Sequence, residues 1–210
     1  MGSLLDVLII PNVDLLKIYR NSNLKVRSIM KYIALLRGIN ISGKNKISMS
    51  ELKLELEKNK YQNVSTYLNS GNVIFESNIN NKEDIMKDIY KIIKNKFNLE
   101  IPIFVMTSLE LEDILNNNPK WWGTENKEIY DNLIFIIPPT KYEDVYNTIG
   151  EPKEDIEKIK KYNDSIFWSY DLKNYRKSNW WNKTASTNIS DKITIRTANT
   201  MKKVLEICKR

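Results

Sequence analysis

Apolar positions in this chain fall into short runs of two kinds, one with the period of a strand and one with that of a helix. Residues 32–36 (YIALL) are almost unbroken apolar, as in a strand buried on both faces. Beyond a polar loop, Ser48-Met49-Ser50-Glu51 fits a helix-capping box. Met49, Leu52 and Leu56 then share one helical face, although Leu52, Leu54 and Leu56 also alternate as a strand would. Residues 64–68 and 73–75 predict a hairpin about Asn69-Ser70-Gly71-Asn72. Ile85, Ile89, Ile92, Ile93 and Phe97 recur at helical spacing, and residues 101–106 predict a fourth strand with Pro102 at its start or on a sheet edge.

Strand, helix, strand, strand, helix, strand is the order of a ferredoxin-like split βαβ unit. Thr107-Ser108-Leu109-Glu110 is a second capping box, opening a short helix to about Asn116. A polar stretch with Pro119, Trp121, Trp122 and Gly123 follows. The element order then repeats: a strand over 133–137 stopped by Pro138-Pro139, a helix over 142–149, a hairpin of 156–162 and 166–170, helical residues 175–185, a strand over 193–196 and a helix over 199–207. The expected fold is α+β, two tandem ferredoxin-like βαββαβ halves packed into one compact unit. Residues 30–116 form the first half with its short helix, 117–131 a Trp-containing linker and 132–210 the second half with a final helix. Residues 1–29, where Asp6, Pro11 and Asp14 interrupt the apolar stretch, read as an extension outside this core.

Composition narrows the chemistry. The 210 residues contain no histidine, which removes the commonest general base and metal ligand. The single cysteine, Cys208, excludes an internal disulfide and a thiolate zinc cluster. No apolar run approaches the ~20 residues of a membrane span, so a cytoplasmic protein without membrane contact, metal or cofactor is expected. With 33 basic and 26 acidic residues the net charge is +7, which favours anionic partners weakly, since scattered lysines are ordinary surface. The acidic groups Glu110/Glu112/Asp113 and Glu151/Glu154/Asp155 read as solvated helix faces.

The blocks YIALLRGIN, GKNKISM, TYLNSGNVIF and ITIRTANTMKKVLE resemble domain-of-unknown-function family 1697, a bacterial cytoplasmic family, over residues 30 to about 207. The family pattern has two adjacent glycines where this chain has Ser42-Gly43, and often an aromatic where it has Ala198. The resemblance implies an α+β fold of two related halves. It brings no activity and no catalytic residues.

The candidate site is the loop after the first strand. Gly38 and Gly43 free backbone N–H groups, and Arg37 and Lys44 supply charge. Together they suit an anion at the start of the Ser48 helix, although the spacing is not that of a Walker motif. Asn40, and Asn69, Ser70, Gly71 and Asn72 of the hairpin turn, are the hydrogen-bonding candidates. We place that turn at the opposite end of the sheet from the first loop, so that a joint site needs the second half or another protomer. Arg37, Arg176 and Arg196 stand out in a chain that otherwise takes its charge from lysine, and Arg196 is followed by Asn199 at the start of the last helix. The pairs Trp121-Trp122 and Trp180-Trp181, with Tyr170 and Tyr175, suit subdomain packing better than base stacking.

Three functions remain open. The first is a binder of a phosphorylated or other anionic ligand, nucleotides and nucleic acids included, through Arg37, Lys44 and Arg196 with the asparagines. The second is an enzyme on a small anionic metabolite using Tyr or Lys as acid or base. The third is an interaction module docking a partner through exposed Trp loops.

Overall fold

The structure, a computed structural model, describes residues 29–210. The extension therefore lies outside the described residues except for Ile29. The first half runs β1 (Met30–Leu36), α1 (Met49–Lys58), β2 (Gln62–Tyr67), β3 (Asn72–Ser77), α2 (Lys82–Phe97), β4 (Ile103–Thr107) and α3 (Ser108–Asn116). The second runs β5 (Ile129–Ile136), α4 (Tyr142–Ile149), β6 (Glu157–Tyr162), β7 (Ser165–Asp171), a 3-10 turn (Tyr175–Lys177), α5 (Asn179–Ser186), β8 (Ile193–Thr197) and α6 (Ala198–Cys208). Each half forms one four-stranded antiparallel sheet, in the orders β2-β3-β1-β4 and β6-β7-β5-β8. This is the expected pair of ferredoxin-like units, each with one helix added at its end.

The duplication reaches individual hydrogen bonds. Leu36 N donates to Gly71 O at 2.8 Å, and Ile136 N to Asp164 O at 3.0 Å. Arg37 N donates to Pro102 O, and Ile137 N to Lys192 O, both at 2.9 Å. Thr107 and Thr197 cap the two added helices by accepting from Glu110 N and Thr200 N. β5 begins four residues before the apolar run at 133, because Asp131 and Asn132 are buried there with hydrogen-bond partners that the apolar pattern does not register.

Strand alternation divides the interior into three layers of side chains. Tyr32, Ala34 and Leu36 of β1 face Leu52 and Leu56 of α1 and Ile85, Ile89 and Ile93 of α2. Ile134 and Ile136 of β5 face Val145 and Ile149 of α4 and Trp180 of α5. The opposite faces pack on each other: Ile33, Leu35, Ile74, Phe104 and Met106 meet Leu133, Phe135 and Phe167, with α3 and α6 beside them. Phe104 and Phe135 lie 5.2 Å apart across this seam. Trp122, T-shaped on Phe167 at 5.0 Å, closes one end and donates its indole N–H to Asn132 O at 2.6 Å. Both β1 and β5 are thus buried on two faces, which is why their sequences carry no clear polar alternation.

The hairpin turn does not lie where the sequence reading placed it. β1 and β2 run in the same direction because α1 crosses back between them, and β3 returns antiparallel between the two. The end of β1 and the β2–β3 turn therefore share one end of the sheet, with Leu35 opposite Asn72. No other protomer is needed to bring them together.

Cys208 is buried on the sheet-to-sheet seam, and burial pushes its thiol up to about 11, against the opposing charge of Lys31. An ordinary thiol titrates near 8.5. At pH 8 the native protein should therefore react with iodoacetamide about 100-fold or more slowly than in denaturant. Equal rates would show that the C-terminal helix is not docked on the seam.

Candidate functional site

The loop from Arg37 to Ser48 is built from left-handed backbone positions: Gly38, Asn40, Ser42, Gly43 and Asn45 all have positive φ. Asparagine and glycine tolerate that region, so the composition that marked the loop in the sequence also shapes it. The loop folds into a miniature hairpin, with Asn40 N donating to Asn45 O at 3.1 Å and Lys44 N to Ile41 O at 2.9 Å. The Asn40 side chain fastens it at both ends. Its Nδ2 donates to Ile47 O at 3.0 Å and to Asn69 O at 2.8 Å, and its Oδ1 accepts from Ile47 N at 2.9 Å. Asn45 Nδ2 donates to Gly38 O at 3.0 Å.

The result is a shallow depression at the N-terminus of α1, bordered by Gly43, Lys46, Ser48, Ser50 and Asn69. Ser48 accepts from Glu51 N at 3.3 Å as the cap, and its hydroxyl lies 2.9 Å from that of Ser50. Lys44 and Lys46 are exposed, and neither has an ion-pair partner among the described residues. Lys46 and Ser50 were missed in the sequence reading. The signal that finds them is Lys-Ile-Ser-Met-Ser, a lysine and two hydroxyls flanking a helix start.

Of the candidate residues, Asn40, Gly43 and Asn69 border this depression, with Gly38 and Lys44 elsewhere in the same loop and Ser70 and Gly71 in the turn that Asn40 bonds. The two arginines turn inward instead. Arg37 is half-buried against the second half, its Nε donating to Ser190 O at 2.7 Å; burial lowers its pKa, with Asp191 opposing. Arg196 is buried on the seam. Its Nε donates to Asn72 Oδ1 at 2.6 Å and its Nη1 to Thr194 Oγ1 and Ile195 O at 2.8 Å. Its Nη2 donates to Leu36 O and Ser70 O at 2.8 Å. The five donors of a guanidinium are then all engaged. None of these acceptors is a carboxylate. Desolvation, reinforced by Arg37, pulls the Arg196 pKa down to about 10, and neutral oxygens alone offset the charge. Asn72 is equally buried, its Nδ2 donating to Tyr67 O at 2.8 Å. Arg196 and Asn72 therefore lie on the seam and hold the turn against the end of β1. Asn199 lies apart, exposed at the start of α6 beside Lys127 and Lys202.

Each Trp pair splits. Trp122 and Trp180 are buried, with Trp180 Nε1 donating to Gly150 O at 3.1 Å, whereas Trp121 is half-buried and Trp181 is exposed. Glu112 pairs with Lys209 and Asp113 accepts from the Tyr162 hydroxyl, whereas Glu154 and Asp155 are exposed. Glu110 completes the Thr107 capping box and pairs with Lys82. Glu157, which the sequence reading did not single out, is buried at the N-terminus of α5, where it accepts from Asn179 N at 2.7 Å, Ser178 Oγ at 2.5 Å and Trp168 Nε1 at 3.2 Å. No helix among the described residues is long and apolar enough to cross a membrane.

The model of a protein family of unknown function, DUF1697, matches residues 29–167, and the chain belongs to that family. The solved structure of the conserved bacterial protein SP0830 from Streptococcus pneumoniae is similar, with a TM-score of 0.76 and 26% identity over 86% of this chain and 99% of that one. No functionally curated protein matches.

Replacing Arg196 with Met leaves the buried acceptors Leu36 O and Asn72 Oδ1 without their donor, at roughly 1–3 kcal/mol for each buried group, and frees the partly buried Ser70 O. We expect Arg196→Met to lose about 3 kcal/mol in urea unfolding and Arg37→Ala about 1 kcal/mol; equal losses would contradict the clamp. The glycines give a second contrast. A Cβ at Gly71 would lie 2.6 Å from Leu36 Cβ, whereas one at Gly43 meets nothing within 4 Å. Both residues have positive φ, so Gly43→Ala should cost only the roughly 1–2 kcal/mol of left-handed backbone, and Gly71→Ala clearly more by the same measurement.

Proposed function

We propose that this DUF1697 protein binds a phosphorylated or otherwise anionic ligand at the loop after β1. The anion is received by backbone N–H groups at the start of α1 and by Gly43, with Lys44 and Lys46 supplying charge and Ser48, Ser50 and Asn69 polar contacts. The observation that carries the reading is the contrast between the two halves at equivalent places. In the second half the chain passes from β5 to α4 through residues 137–141, and the carboxylate of Asp144 turns back onto Lys141 N at 2.9 Å, with Glu143 beside it. An acidic first turn of that kind answers the helix dipole from within. In the first half the loop is longer, carries Lys44 and Lys46 and is fastened by Asn40, and the first-turn carboxylate of α1, Glu51, makes no hydrogen bond back onto the loop among the described residues.

Helix N-termini favour anions through free N–H groups and the macrodipole together. Arg37, Arg196 and Asn72 serve the same site by fixing the end of β1 and the β2–β3 turn. Asn199 and the α6 N-terminus lie outside it.

A thermal-shift screen against nucleotides and phosphorylated metabolites tests the reading. A ligand at a hundredfold excess over Kd stabilises by about 2.7 kcal/mol, which is several degrees in Tm for a chain of this size. We expect such a shift with at least one phosphate-bearing compound. It should fall by more than half in Lys44→Ala/Lys46→Ala, weaken with added salt, and persist in Asn199→Ala. A shift unaffected by the lysine pair would place the ligand elsewhere.

A further inference from the structure

A second surface, sharing no residue with the loop after β1, lies at the far end of the β5–β7 pair. Residues 172–190 contain no aspartate or glutamate, in a chain with 26 of them, yet include Lys173, Arg176, Lys177 and Lys183. The same stretch holds Tyr175 and Trp181, which extend a continuous row of rings begun on the sheet. Tyr130 of β5 lies 5.5 Å from Tyr170 of β7, Tyr170 lies 5.4 Å from Trp181, and Trp181 lies 5.0 Å from Tyr175. The row is buried in the middle and open on both sides: Tyr170 is 3% exposed, Tyr130 39% and Trp181 40%. Leu172, 41% exposed, borders the depression beside Tyr130 together with Lys127 and Lys202.

Folding accounts for the inner faces of these rings and leaves the outer faces unused. Around them cations prevail without being alone: Glu125 is exposed beside Tyr130, whereas Asp131 and Asp171 are taken up by Gly123 N and by the amides of Lys173 and Asn174. Arg176 lies 5.6 Å over the Tyr175 ring and makes no ion pair among the described residues, nor do Lys127 and Lys177. The carboxylate of Glu128 is taken up by Lys173. A peptide partner would meet few free carboxylates for its own cations, Glu125 being the exposed one beside Tyr130. Unstacked bases meet two open aromatic faces, and phosphates meet cations on both sides of them, which is the composition that binds single strands.

We propose that this surface binds single-stranded nucleic acid, with bases stacking on Tyr130 and Trp181 and the backbone tracking Lys127, Lys173, Arg176 and Lys177. Two ring-to-ring steps separate the exposed rings, within reach of neighbouring nucleotides on one strand. Duplexes, whose bases are already stacked, gain nothing from the rings.

The test is fluorescence anisotropy of labelled oligouridylate and oligodeoxythymidylate of about 12 nucleotides, titrated with the full chain. Salt is varied between about 50 and 200 mM, a range over which phosphate contacts weaken steeply. We expect binding of at least one oligonucleotide, falling tenfold or more across that range. A preference between the two reports whether the 2′-hydroxyl is read. Trp181→Ala should weaken binding about tenfold while the protein stays folded at the assay temperature, Tyr130→Ala should do likewise, and Lys173→Ala/Arg176→Ala/Lys177→Ala should flatten the salt dependence. Lys44→Ala/Lys46→Ala should leave it intact, which separates this proposal from the anion site. Absence of binding to both oligonucleotides, equal affinity for a duplex, or full affinity in both ring variants would overturn it.

Discussion

Arg196 is the interaction on which the joining of the two halves rests. A guanidinium placed on the seam between two sheets carries a heavy desolvation cost unless every donor is met. Here the donors are met by oxygens from both halves: Asn72 and the carbonyls of Leu36 and Ser70 on one side, Thr194 and Ile195 O on the other. The position equivalent to Arg196 in the first half, judged by strand register, is Met106, and that of Asn72 is Ser165. One side of the duplicated seam is thus apolar and the other polar. An apolar seam alone would tolerate sliding. A planar fork that must find carbonyls at the end of β1 admits one relative placement, which also fixes the β2–β3 turn.

That placement explains why the loop after β1 has a defined shape although it is almost all exposed. Asn40 ties the loop to Asn69, Asn69 belongs to the turn, and Ser70 and Asn72 of that turn are tied to Arg196. The loop is therefore tied, through the turn, to a buried polar layer on the seam. In the second half the corresponding layer is absent. Ile137 stands where Arg37 does, and the tight passage through Pro138-Pro139 leaves no loop to support.

The two-halves architecture was legible because each apolar run has the length and period of one element, and because Thr107, Ser48 and the Asn-Ser-Gly-Asn turn carry local signals that tertiary packing did not override. The backbone of the candidate loop was legible for a related reason, since glycines and asparagines in a row announce left-handed conformation. The direction of the side chains was not. Arg37 and Arg196 look alike in sequence to ligand-facing arginines, and only the seam, a contact between residues more than a hundred positions apart, shows that they point inward. Asp131 and Glu157 were invisible for the same reason, because a buried carboxylate satisfied by backbone N–H groups leaves no periodic trace. The error over the β2–β3 turn was one of geometry: strand direction follows from the α1 crossover, and the residues themselves were read correctly.

The central claim is that the buried arginine layer shapes the exposed loop. Amide hydrogen exchange in Arg196→Lys, which keeps the charge but loses the fork, tests it most directly. The account predicts that the Asn40 and Ile47 amides, both bonded within the loop, exchange faster while amides of α2 and β7 keep their protection. Unchanged exchange in the loop, or a uniform loss across both halves, would contradict it.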